Sequence, residues 1–164
     1  MSKNSNLILT KNYIDIYFTY QVIYNYMQQG NTSVEFLLAL AKFEAIISRK
    51  LDARLGGIGF TEFQILYHLS RAEDEKMRRV DLAENIGLTA SGITRLLLPM
   101  EKIGLVKKQT DETDARVSYV SLAKGGRQKL VEGVERVELF VEDTLPALDA
   151  RKMQELLRIL RTAI

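Results

Sequence analysis

The sequence predicts a mostly α fold with one small β-hairpin, and three observations carry that prediction. Residues 79–104 hold two short helical patterns joined by a turn at Gly87. After them the pattern switches to β-branched strand formers at Val106–Gln109 and Val117–Leu122, with the charged turn TDETDA between the two runs. On either side lie longer stretches whose apolar residues recur at helical spacing. A chain of 164 residues with 46% hydrophobic content is long enough for one well-cored domain.

Residues 1–30 differ in composition from the rest, holding six of the thirteen aromatic residues (Tyr13, Tyr17, Phe18, Tyr20, Tyr24 and Tyr26). KNYIDIYFTYQVIYNYMQQ fits a helix or two short strands, ended by Gly30. Two accounts stand side by side for this extension. It is either an extra helix adding apolar surface to an oligomer interface, or an upstream stretch outside the coding frame, with Met27 as the start.

Thr32–Ser33–Val34–Glu35 matches a capping box. Val34, Leu37, Leu38, Ala41, Ala45, Ser48 and Leu51 then trace one helical face down to Gly56–Gly57. Thr61–Glu62–Phe63–Gln64 is a second capping box, with Phe60 placed to staple onto Ile65. That helix carries Leu66, Tyr67 and Leu69 and fades in the charged run Arg71–Lys76. Beyond the hairpin, Lys124 to about Val141 is helical, with Leu130, Val134, Val137 and Val141 on one face. Pro146 interrupts, and Asp149 caps a last helix through Met153, Leu156, Leu157 and Leu160.

The central segment has the parts of a helix-turn-helix. Two helices that cross closely need a small residue at the crossing, a turn-former between them and an apolar residue closing the core. Ala83, Gly87 and Ile93 meet those needs in order. Leu82, Ile86, Leu88 and Leu96 fill the remaining inward positions. With Thr89 as N-cap, the second helix presents Ala90, Ser91, Thr94 and Arg95 outward, and Pro99 bends or ends its regular part. Hydroxyls and a guanidinium on one exposed face suit phosphates and base edges.

Past the hairpin tip, Arg116 is placed to enter a minor groove, and Asp114 is placed to brace it. Lys107, Lys108, Lys124 and Arg127 add phosphate attraction. The overall charge of +2 conceals a bias. Residues 78–129 carry 10 Lys/Arg against 6 Asp/Glu, whereas residues 1–77 balance 8 against 8 and residues 130–164 carry 5 against 7. The positive excess sits on the proposed DNA-reading segment, as phosphate attraction requires.

These residues resemble the MarR family of bacterial winged-helix regulators. The likeness rests on Leu82–Ala83–Glu84, on Ser91–Gly92–Ile93–Thr94–Arg95–Leu96, on Met100–Glu101–Lys102–Ile103–Gly104–Leu105–Val106, and on Asp114–Ala115–Arg116 leading to Ser121–Leu122. It spans about residues 33–164. The resemblance implies a winged helix-turn-helix at 60–123, with dimerisation helices at 31–57 and 124–164 interlocking two subunits. It implies a homodimer on a palindromic double-stranded DNA operator, acting as a repressor relieved by a small aromatic or phenolic ligand. Thr89, Ser91, Thr94, Arg95, Lys107, Asp114 and Arg116 are the DNA-binding residues expected, with Ser91, Thr94 and Arg95 in the major groove. No ligand pocket is assigned. The family commonly has Thr where Ala123 stands, so a helix cap is lost there.

Other classes find little support. With no Cys there is no disulfide and no thiolate site, and His68 alone cannot build a histidine metal centre. One His, no Cys and no glycine-rich phosphate loop leave no catalytic constellation and no cofactor to expect. No apolar run reaches the roughly 18 residues of a membrane span, and no secretory signal is visible, so the expectation is a cytoplasmic protein. The competing function is a winged helix that binds only another protein. The positive segment with Arg95 and Arg116 argues against it.

Overall fold

The computed structural model describes residue 21 and residues 30–110 and 117–163. The chain divides into two compact units, one ending at Ile46 and one running from Ile47 to Ile164. The described part of the first unit opens helix α1 (Thr32–Asp52). Asn31 caps it, its Oδ1 accepting from the N–H groups of Ser33 (3.1 Å) and Val34 (3.3 Å). Thr32, expected as the cap, is already helical and cannot serve as one. Along this unit Val34, Phe36, Leu37, Leu38 and Phe43 stand exposed, Phe36 at 57%.

The second unit begins at the end of α1, where Leu51 is buried. It continues through α2 (Phe60–Arg71), β1 (Lys76–Arg78), α3 (Arg79–Ile86), α4 (Ala90–Lys102), β2 (Val106–Thr110), β3 (Ser118–Leu122), α5 (Lys124–Thr144) and α6 (Ala150–Ala163). Its core is formed by Ile65, Leu66 and Leu69 of α2, Leu82 of α3, Ile93 and Met100 of α4, and Phe140 of α5, all fully buried.

Helix α2 starts earlier than the Thr61 box predicts. Gly59 is the N-cap residue; its N–H donates to the Glu62 carboxylate (2.7 Å), and that of Phe60 donates to Asp52 Oδ1 (2.6 Å). Two carboxylates thus take free N–H groups at the helix start, where the helix dipole also favours negative charge. Phe60 stacks on Phe63 with ring centroids 6.3 Å apart.

Strand β1 is a departure from the expected two-stranded hairpin. The described sheet has three antiparallel strands in the order β1-β3-β2, with Lys76 opposite Ser121 and Arg78 opposite Tyr119. Lys-Met-Arg has no β-branched residue, so nothing local marks it as a strand. Its pairing comes from the β3 edge and from the turn before it, where Asp74 and Glu75 both take φ of 52°. The Glu75 carboxylate there accepts from Arg127 Nε at 2.7 Å.

The helix-turn-helix forms as its residues predict. Ala83 and Ile93 are buried at the crossing of α3 and α4, and Gly87 takes the left-handed φ of 72° that a side chain would oppose. Helix α4 runs past Pro99 to Lys102, so of the two expected outcomes, a bend or an end, Pro99 does not end it. Ile103 N–H still donates to the Pro99 carbonyl, and buried Leu97 and Met100 hold the turn on the core. Ala123 precedes α5 without a side-chain cap, and Asp149 caps α6 through Lys152 N–H at 2.9 Å, both as expected. No helix among the described residues is long and apolar enough to cross a membrane.

Candidate nucleic-acid interface

Helix α4 presents two opposed stripes. Ile93, Leu97 and Met100, spaced four and three residues apart, face the core. Half a turn round, Ser91, Arg95, Leu98 and Lys102 are all exposed, spaced four, three and four apart. The buried stripe fixes the rotation of the helix, and the outer stripe is therefore aimed by the core.

Thr89 holds the start of α4. Its hydroxyl accepts from Gly92 N–H at 3.0 Å and lies 3.2 Å from Ser91 Oγ. Thr94 sits on the flank rather than on the outer stripe. It is half-buried, and its hydroxyl donates to the Ala90 carbonyl at 2.7 Å. Arg95 is exposed and makes no hydrogen bond or ion pair among the described residues, so its guanidinium is free for an external acceptor.

The positive excess of this segment is partly spent internally. Arg78 donates twice to the Asp81 carboxylate, both at 2.7 Å, and this pairing holds Asp81 below its ordinary pKa and raises that of Arg78. Arg127 pairs with Glu75 and holds that carboxylate below its ordinary value too. Arg127, expected to attract phosphate, is instead the clasp between the start of α5 and the turn before β1. Among the described residues, the cations left without an ion pair include Arg95, Lys102, Lys107, Lys108 and Lys124.

In the wing, Lys107 stands opposite Ser121 and Lys108 opposite Val120. Successive strand residues alternate faces, so the two lysines point to opposite sides of the sheet. The Lys108 side bounds a small cavity between α4, β2, β3 and the start of α3, lined by Arg79, Thr94, Leu98, Glu101, Lys108 and Ser118 among others. Arg79 Nε and Ser118 Oγ are buried with no hydrogen-bond partner among the described residues. The wing tip, with Asp114 and Arg116, lies outside the described residues.

This arrangement, a helix-turn-helix followed by a strand pair, agrees with the comparisons to known proteins. Residues 60–118 match the family model described as MarR family. Over that span the chain is similar to the MarR family. A relative in Bacillus subtilis, the HTH-type transcriptional regulator YdgJ, is 25% identical over 126 residues, covering 77% of this chain and 75% of its own length. The transcriptional regulator BldR from Sulfolobus solfataricus matches with a TM-score of 0.72 at 26% identity, covering 83% of this chain and 99% of that one. Sco3205 from Streptomyces coelicolor, a MarR family regulator solved in complex with DNA, shares the fold with a TM-score of 0.68 at 21% identity, covering 80% and 86%. These similar proteins are transcriptional regulators, which supports a DNA-binding regulator as the general class of this chain.

The structure brings Thr89, Ser91, Thr94 and Arg95 together on the first turns of α4 and sets Lys107 on the neighbouring wing. Sequence reasoning missed Leu98 and Lys102. The same 4-3-4 spacing that placed the buried stripe, applied to the opposite face, would have found both. It also missed the Arg79–Ser118 cavity, for which no local signal exists because its walls come from four separate elements. His68 is half-buried with its ring edge-on to Tyr67, centroids 6.1 Å apart. Among the described residues no cluster of three or more potential metal ligands occurs.

Proposed function

We propose that this chain is a homodimeric, sequence-specific repressor of the MarR type that binds a palindromic operator in the cytoplasm and releases it when a small effector binds. The observation that carries this proposal is the outer stripe of α4. A rigidly aimed, exposed helix face offers an unpaired guanidinium beside a basic wing. In this account Thr89, Ser91, Thr94 and Arg95 meet the major groove, Lys107 meets a phosphate, and Arg116, braced by Asp114, enters the minor groove.

Residues 31–57 and 124–164 serve as the dimerisation regions and 60–123 as the winged helix-turn-helix. Support comes from apolar residues that the chain leaves uncovered. On α6 Leu156, Leu157, Ile159 and Leu160 are exposed, and no residue of that helix is buried. A two-fold dimer presents its reading helices in inverted repeat, which is why the operator is palindromic.

Selection of bound sequences from a random DNA pool tests this function. The expected result is an inverted repeat with half-sites about one helical turn apart. Failure to enrich any sequence would favour a winged helix that binds only another protein. On the selected site, Arg116→Ala weakens binding and flattens its salt dependence while the dimer persists. Unchanged affinity would remove the wing from the interface.

A further inference from the structure

A single exposed leucine on a protein surface needs no explanation. Leu98 differs by its position. It is 54% exposed on the outer stripe of α4, between Arg95 and Lys102, beside exposed Pro99, with one edge bordering the small cavity under the wing. The core on the opposite side of the helix is already closed by Ile93, Leu97 and Met100. Of the two hydroxyl side chains on this helix, Thr94 donates inward to a backbone carbonyl and Ser91 lies against Thr89. Beyond the first turn, the outer stripe thus offers one cation with five N–H donors, one branched alkyl group and one terminal lysine.

The groove that such a stripe enters contains one apolar feature, the C5 methyl of thymine. Resting on the DNA-binding function above, we propose that Leu98 is a specificity-determining residue that packs on a thymine methyl next to the guanine taken by Arg95. The helix rises about 1.5 Å per residue, so Arg95 and Leu98 lie about 4.5 Å apart along its axis. Base pairs stack about 3.4 Å apart, which places the thymine one or two pairs from that guanine. Lys102, four residues further on, reaches the phosphate backbone beyond it. Beyond its first turn, the outer stripe of α4 therefore reads a guanine and a neighbouring thymine, with Lys102 on the backbone past them.

The test uses the full chain and the sequence it selects. Each thymine of one half-site is replaced in turn by deoxyuracil, which lacks only the methyl and keeps its base pair. Binding is followed by fluorescence anisotropy. The wild-type chain should lose about three- to fivefold in affinity at one thymine, the worth of one buried methyl group. Leu98→Ala should bind the unmodified site more weakly by a similar factor and be indifferent to that uracil. Leu98→Gln, of similar length but polar, should be equally indifferent, which separates lost contact from a disturbed helix. A wild-type chain indifferent to every uracil would overturn the proposal, as would a Leu98→Ala chain that keeps the same uracil sensitivity. Loss of dimerisation in Leu98→Ala alongside wild-type indifference would assign Leu98 to a protein contact instead. Failure of the underlying DNA-binding function is distinguishable, because no sequence would then be enriched at all.

Discussion

Helices α4 and α6 are both amphipathic, yet only one finishes its packing within the chain. On α4 the apolar stripe of Ile93, Leu97 and Met100 is buried, and what is exposed is polar apart from Ala90, Leu98 and Pro99. On α6 four large apolar residues are exposed, with Leu157 at 49%, although the helix is well capped by Asp149. Capping and periodicity suffice to make a helix, but burial decides whether it is complete. α4 is a finished element, and α6 is an unfinished one that a second copy would complete in the proposed dimer. Contiguous apolar surface of this kind marks an interaction site in a protein that is otherwise well cored.

The largest expected effect lies on the finished side of the comparison. Ile65→Ala empties a site with no solvent exposure and should cost about 2–5 kcal/mol in chemical unfolding. Leu157→Ala should leave the stability of the isolated chain nearly unchanged, and an equal loss would break the distinction. Gly126→Ala comes next. A Cβ there would stand 2.1 Å from the Leu105 carbonyl oxygen, so α5 must shift away from the loop before β2. A loss of about 1–3 kcal/mol is expected from such overpacking.

Leu157→Asp combined with Leu160→Asp sharpens the other side. Sedimentation should show dimer turning to monomer, with the circular dichroism of the winged-helix region retained. The smallest effect belongs to Glu75→Gln, which removes the clasp between Arg127 and the turn before β1. The Glu75 pKa is lowered on folding because Arg127 hydrogen-bonds its ionised form. Its stabilisation is therefore complete above the ordinary value of 4.5 and is lost as pH falls through the lowered one. The melting temperatures of variant and wild type should differ slightly at neutral pH and converge in acid. Both groups are exposed, so the difference is small.

The parts of the fold legible in the sequence were those written locally. Ala83, Gly87 and Ile93 announce the crossing of two helices because each answers a steric demand at a fixed spacing. Thr89 and Asp149 announce helix starts because their side chains replace missing backbone partners. β1 was invisible, since Lys76–Arg78 becomes a strand only by pairing with β3, forty residues away. The continuation of α4 past Pro99 was equally hidden, because burial of Leu97 and Met100 outweighs one lost hydrogen bond. In the interface, Arg95 was legible as an exposed cation, but the internal pairing of Arg127 was not, since its partner Glu75 looked like part of a solvated acidic run. Charge counting finds a basic segment, and only geometry says which charges are free.

The binding stoichiometry on whole and halved sites tests the central claim most directly, because it requires a finished reading helix and an unfinished pairing helix at once. Analytical ultracentrifugation with a labelled duplex would measure it. The account predicts two chains on a duplex carrying both half-sites, and a loss of at least about tenfold in affinity when one half-site is scrambled. One chain per duplex, bound equally well to the whole and the halved site, would contradict it.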